Sequence, residues 1–132
     1  MINKSHIIFY VEDQQESTQF YTTLLNHTPE LNVPGMTEFH LSPTTVFGLM
    51  PAKGIKNLLG DKIEKPERKN NQPRAELYLL VDNIESYVNR AIILGAKKLD
   101  DLKERDWGHR AIYFEDPDGY IIAFAETMEN SE

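Results

Sequence analysis

Cysteine is absent from the 132 residues. That excludes thiol nucleophiles, disulfides and thiolate metal sites, and it leaves the redox compartment undetermined. Long apolar runs are missing too, since no stretch approaches the ~18 residues needed to span a bilayer. Residues 1–6 lack the apolar region of a secretion signal, so the expected location is cytoplasmic and no membrane partner is expected. Basic charge is in deficit: 14 Lys and Arg stand against 21 Asp and Glu, a net charge of −7. Nucleic acids and anionic membranes both require a basic footprint, so neither is an expected partner. There is also no Gly-rich phosphate loop, no zinc-protease helix motif and no nucleophile elbow.

What the chain does contain is an ordinary globular composition, with 40% hydrophobic and 27% charged residues. Its length suits one domain, 1–132. At this size folding buries roughly two-thirds of the unfolded surface, enough for a core without disulfides or structural metal.

Residues 5–11 are rich in β-formers and read as a strand. Asp13 followed by Glu16 is a helix N-cap pattern, and Phe20, Tyr21, Leu24 and Leu25 recur at helical spacing. Asn26, Pro29 and Pro34-Gly35 mark turns. Residues 36–41 and 44–50 read as strands joined at Ser42-Pro43. The stretch 51–74 holds Lys53, Lys56, Lys62, Lys65, Arg68, Lys69 and Arg74. It reads as a linker with a mobile basic loop, mostly a solvated charge run, with one short helical turn at Ile55, Leu58 and Leu59. Residues 75–82 are a strand, Asp82 to Glu85 repeats the capping pattern, and Tyr87, Val88, Ala91, Ile92 and Leu94 form a helix that Gly95 ends. Strands at 109–115 and 120–125 flank Asp116-Pro117-Asp118-Gly119, whose Pro and Gly positions fit a hairpin turn. The last seven residues are acidic and polar and read as frayed.

The halves superpose at an offset of 70, His6 on Glu76, Val11 on Val81, Asp13 on Asn83 and Leu24 on Leu94. Pattern repeats; identity does not. Each half reads strand, capped helix, further strands. Three segments carry a family resemblance: His6 to Asp13 with Ser17, Phe20 and Tyr21; Ala75 to Asp82 with Gly95-Ala96; and Asp106-Trp107-Gly108-His109-Arg110 through Asp116-Pro117-Asp118-Gly119 to Glu126. On these the chain resembles the vicinal oxygen chelate superfamily of glyoxalases, extradiol dioxygenases and bleomycin- and fosfomycin-resistance proteins. The resemblance implies an α+β fold of two βαβββ modules, about 5–50 and 75–126, forming a cleft-shaped mixed sheet with helices on its outer face. It also implies a homodimer.

Strand alternation sorts the side chains. Ile7, Phe9, Val11, Leu77, Leu79, Ile112 and Phe114 make one aliphatic and aromatic face. His6, Tyr10, Glu76, Tyr78, His109 and Tyr113 lie on the other, a mixed surface that suits a small organic ligand or a half-solvated sheet. Trp107 offers a stacking platform beside it, and Arg110 a fork for an anion. The resemblance further implies four metal-ligand positions in metal-dependent members. His6 and Glu76 match two of them. Gly48 and Ala123 fall at the other two and cannot ligate. The expectation is therefore no cofactor and no metal, with Gly48 and Ala123 leaving open volume at the floor of one shared cavity lined by His6, Tyr10, Glu76, Tyr78, His109, Tyr113 and Ala123. A divalent metal held by His6 and Glu76, or a remodelled site using Glu38 or His40, is the alternative. The leading function is metal-independent small-molecule binding. The alternatives are a glyoxalase-like lyase or isomerase, a dioxygenase with a remodelled metal site, and an interaction domain with a vestigial cavity.

Overall fold

A computed structural model describes residues 1–128. The chain forms two compact units, Met1–Arg68 and a second beginning at Lys69. Each follows the order strand, helix, three strands, and each builds its own four-stranded mixed sheet. The α+β, two-module expectation is met.

In the first unit β1 (Ser5–Val11) leads to α1 (Gln14–Leu25). The helix starts because the Asp13 side chain accepts from the Glu16 amide at 3.0 Å, satisfying one of the first-turn donors. It ends at Asn26, which adopts the left-handed conformation (φ 49°) that asparagine tolerates. Next come β2 (Leu31–Val33), β3 (Met36–Ser42) and β4 (Thr45–Pro51), in sheet order β1-β4-β3-β2 with β1 and β4 parallel. Phe47 is the centre of the core. Its ring lies 5.0 Å from Phe9, 4.9 Å from Tyr21 and 6.2 Å from Phe39. Burying one such ring is worth roughly 1.5–3 kcal/mol. The β2–β3 turn is held by Gln14, whose side chain donates to Val33 O and Thr37 Oγ1 and accepts from the Gly35 amide.

Strand β2 was not anticipated; its three residues are all exposed, so it carries no buried periodicity to read. The linker reading also needs correction. Ala52–Leu59 is an eight-residue helix, α2, seated by buried Ala52 and Ile55 and followed by a 3-10 turn over Gly60–Lys62. Lys56 Nζ closes it by donating to Gly60 O and Ile63 O. Nor is the basic run merely solvated, because Lys65 pairs with Glu12 and Arg68 with Glu16.

The second unit repeats the scheme with β5 (Glu76–Leu80), α3 (Ile84–Ile93), β6 (Lys97–Glu104), β7 (His109–Glu115) and β8 (Ile121–Thr127), in order β5-β8-β7-β6. Helix α3 packs through Tyr87 on Phe124, rings 5.0 Å apart. The expected capping pattern does not form here: Asn83 occupies the cap with φ 57° and no side-chain cap bond. Gly95 (φ 72°) does follow the helix end, its amide bonded to Ile92 O. Strand β6 was missed because its sequence is mostly charged. It is an edge strand, broken by two register shifts against β7, which is how charged edges resist further pairing. Strand β8 includes Glu126 and Thr127, so those two residues are not frayed; residues 129–132 of the expected tail lie outside the described residues.

The hairpin turn at 116–119 forms as expected. Asp116 accepts from the amides of Asp118 and Tyr120, and Gly119 takes φ 88°. Residues 69–74 are fastened over it. Asn70 and the Asn71 amide donate to Glu115, and the Arg74 guanidinium lies 4.3 Å above the Tyr120 ring.

Candidate functional site

In the second unit, β8 is the axis of the candidate face. Ala123 registers with Tyr78 of β5 on one side and with Tyr113 of β7 on the other. Paired residues on neighbouring strands point to the same face, so the two tyrosines flank one alanine. Ala111 and Ala125 pair beside them on that face, and all three alanines are fully buried. Glu76, two residues before Tyr78, is exposed on the same side.

Tyr78 is the centre of a hydrogen-bonded group. Trp107 Nε1 donates to its hydroxyl at 2.8 Å, and that hydroxyl lies 2.8 Å from His109 Nδ1. An indole N–H only donates. The Tyr78 oxygen is therefore the acceptor toward Trp107, while the bond to His109 Nδ1 takes its direction from the His109 tautomer. The Tyr78 and His109 rings also stack, 5.8 Å apart at 30°. Trp107 itself is exposed.

Burial pushes the Tyr113 phenol up from its usual 10.0, and the nearby Glu76 carboxylate adds to the effect. The Arg105 guanidinium lies 5.1 Å from the centre of the Tyr113 ring. Arg105 also donates to Asp100 at 2.9 Å, to Asp101 O at 2.9 Å and, through two nitrogens, to Ala111 O. Sequence reasoning missed Arg105 because it precedes β7, where strand alternation does not reach.

Arg110 does not belong to this group. It lies on the opposite face of β7, registered with Glu126 of β8 and ion-paired to it. Period two would have placed it there, since it is one residue from His109.

In the first unit, His6, Ile8 and Tyr10 of β1 register with Val46, Gly48 and Met50 of β4, and Glu38 of β3 registers with Gly48. His6 Nδ1 lies 3.5 Å from Glu38 Oε2. The expected open volume at Gly48 is not there: a Cβ at this position would meet Ile8 Cγ1 at 3.2 Å and Met36 Sδ at 3.3 Å. Ala123 being fully buried, the same holds in the second unit. His27 is a helix-end residue, bonded to Glu30.

The donors suit a divalent ion poorly. Gly48 and Ala123 supply none, His6 has Glu38 as its neighbour, and among the described residues no three His, Asp or Glu side chains are grouped to hold a metal ion.

A groove of about 860 Å³ runs past the start of α1, lined by Glu12, Gln15, Gln19, Pro34, Pro51 and Lys53. None of the candidate residues lines it. It lies between one helix end and a hairpin, with none of the convergent aromatics of a typical ligand pocket. The aromatic face of the second unit is the stronger candidate.

Two βαβββ units of identical strand order, one after the other, define the paired-module class of α+β proteins. The sequence pattern of the glyoxalase-like domain matches residues 4–129, and the chain belongs to that family. In three dimensions it is similar to a glyoxalase/bleomycin resistance protein/dioxygenase from Nocardioides (TM-score 0.76, 20% identity, covering 97% of this chain and 85% of that one). It is also similar to a glyoxalase-related enzyme from Fulvimarina pelagi (TM-score 0.75, 17% identity, 93% and 86% covered). A fosfomycin resistance protein from Listeria monocytogenes is more distant in shape (TM-score 0.63, 20% identity, 96% and 94% covered). No curated protein matches the chain in sequence. At these identities the likeness is one of fold. Among the described residues no helix is long and apolar enough to cross a membrane.

Proposed function

We propose that the chain is a metal-independent small-molecule-binding protein whose ligand contacts Glu76, Tyr78, Trp107, His109 and Tyr113. The observation that carries this is the Trp107–Tyr78–His109 group, three aromatic side chains tied by two hydrogen bonds at 2.8 Å. Packing alone does not call for such bonds on residues that are only partly buried. They hold stacking surfaces in fixed orientations, which lowers the ordering cost of binding. The mechanism is binding by stacking and polar anchoring, with no bond made or broken. The first unit's equivalent strand face, with His6 and Tyr10, is proposed as a separate contact surface of its own. Metal independence rests on the donor set, with Gly48 and Ala123 at two of the four family positions. Likeness to the family supports a cytoplasmic homodimer.

The test is a ligand-induced thermal shift, run on the wild type and on Tyr113→Ala. A small molecule that raises the melting temperature of the first and not the second supports the reading. A chain that as purified holds one divalent ion, lost in His6→Ala, overturns the metal-independent part. Sedimentation as a ~15 kDa monomer at micromolar concentration overturns the dimer.

A further inference from the structure

We infer that the ligand of the second unit's aromatic face is an organic cation, held by the Glu76 carboxylate against the Tyr78 and Tyr113 rings. This rests on the reading of that face as a binding site, and it adds the sign of the ligand's charge.

The sign follows from which charged groups are already satisfied. Asp100 is bonded to Lys103 and Arg105, each at 2.9 Å. Glu115 accepts from Asn70 and Asn71. Glu126 is on the other face with Arg110. Glu76 is exposed, and among the described residues no hydrogen bond or ion pair reaches its side chain. It is the acid of this face whose charge has no counter-ion.

The donors point the same way. An anionic ligand needs a guanidinium fork or a group of free N–H donors. Arg105 is committed through four hydrogen bonds to Asp100, Asp101 and Ala111. Arg110 is committed to Glu126, and the Trp107 N–H to Tyr78. An anion would meet an uncompensated carboxylate and few donors.

The rings complete the argument. Phenol faces attract cations through their quadrupole, and Arg105 at 5.1 Å from Tyr113 shows one ring already engaged by a cation of the protein itself. A carboxylate two residues from one tyrosine, with a second tyrosine two strands away across Ala123 of β8, is a donor set for a quaternary or protonated amine carrying apolar bulk.

The experiment is an NMR titration of the full chain, following the Trp107 indole N–H and the Tyr78 and Tyr113 ring signals. The probes are phenyltrimethylammonium, benzyl alcohol and benzoate, which share a ring and differ in charge. The expected result is saturable shifts with phenyltrimethylammonium alone, weakened about tenfold in Glu76→Gln, the order expected for loss of a partly exposed charge contact. Glu76 is exposed, so the variant keeps the wild-type melting temperature. If benzyl alcohol or benzoate binds as well as the cation, or Glu76→Gln binds it unchanged, the cation assignment is overturned while the face remains a binding site. If none of the three moves these signals, the binding site itself is overturned.

Discussion

The Tyr78 hydroxyl stands 2.8 Å from His109 Nδ1 with the two rings stacked, a contact that reaches from β5 past β8 to β7. Trp107 donates to the same oxygen, so the Tyr78 hydroxyl ties all three side chains together. The pair joins the two strands that flank the buried alanines.

Tyr78→Phe removes both hydrogen bonds and keeps the ring. Trp107 is the one tryptophan of the chain, so its fluorescence reports this site directly. The expected outcome is a red-shifted emission maximum as the indole N–H turns to water. The stability loss should be about 1–2 kcal/mol, the net worth of one or two hydrogen bonds. An unchanged emission spectrum would mean that Trp107 is not held by Tyr78 in solution.

Ala123→Leu tests how closely the face is packed. Ala123 is fully buried between Tyr78 and Tyr113. Added methyl groups have to displace one of the rings, so the variant should lose about 1–3 kcal/mol. Urea unfolding measures it. A loss near zero would restore the open volume that the small residue first suggested.

Gly119→Ala should be the costlier change. A Cβ there would sit 2.2 Å from Lys69 O, and the residue has φ 88°. Left-handed strain and a backbone clash together put the expected loss at about 2–4 kcal/mol. Urea unfolding of Gly119→Ala against wild type decides it, and an unchanged midpoint would show that residues 69–70 do not pack over the turn.

Acid sensitivity has two identified sources. Hydrogen bonds from Lys103 and then Arg105 lower Asp100 from 3.8 to about 2. The His40 backbone amide, and then His27, lower Glu30 from 4.5 to about 2. Both folded values lie below the unfolded ones. The stabilisation is therefore complete above the unfolded values and disappears as the pH falls through about 2. Melting temperature should drop between about pH 4.5 and pH 2, and Asp100→Asn with Glu30→Gln should flatten that slope. An equal slope in the double variant would place the acid sensitivity elsewhere.

Much of the fold was legible because the signals were local. Asp13 with Glu16 marks a helix start by its own hydrogen bond, and Asp116-Pro117-Asp118-Gly119 marks a turn by fixed backbone angles. Elements without such signals are not legible or only partly so: β2 is exposed throughout, β6 is a charged edge, and α2, of which one turn is expected at Ile55, Leu58 and Leu59, buries only Ala52 and Ile55. Their conformation is set by the strands and helices they lie against.

For the candidate site, alternation along β5 and β7 was enough to put Glu76, Tyr78, His109 and Tyr113 on one face, since a strand's period of two is a property of the backbone itself. Arg110, expected to offer a fork to an anionic ligand, lies on the other face, as the same rule requires of a residue next to His109, and its bond to Glu126 holds it there. Three things were decided by tertiary structure alone. Arg105, and the bond that ties Trp107 to Tyr78, come from the segment before β7, where no period applies. Gly48 lacks open space because Ile8 and Met36 come from neighbouring strands to fill it. Glu76 is left without a counter-ion because the nearby arginines are committed to other partners. Each depends on which distant residues meet, and a contact between residues far apart in the chain is created by packing.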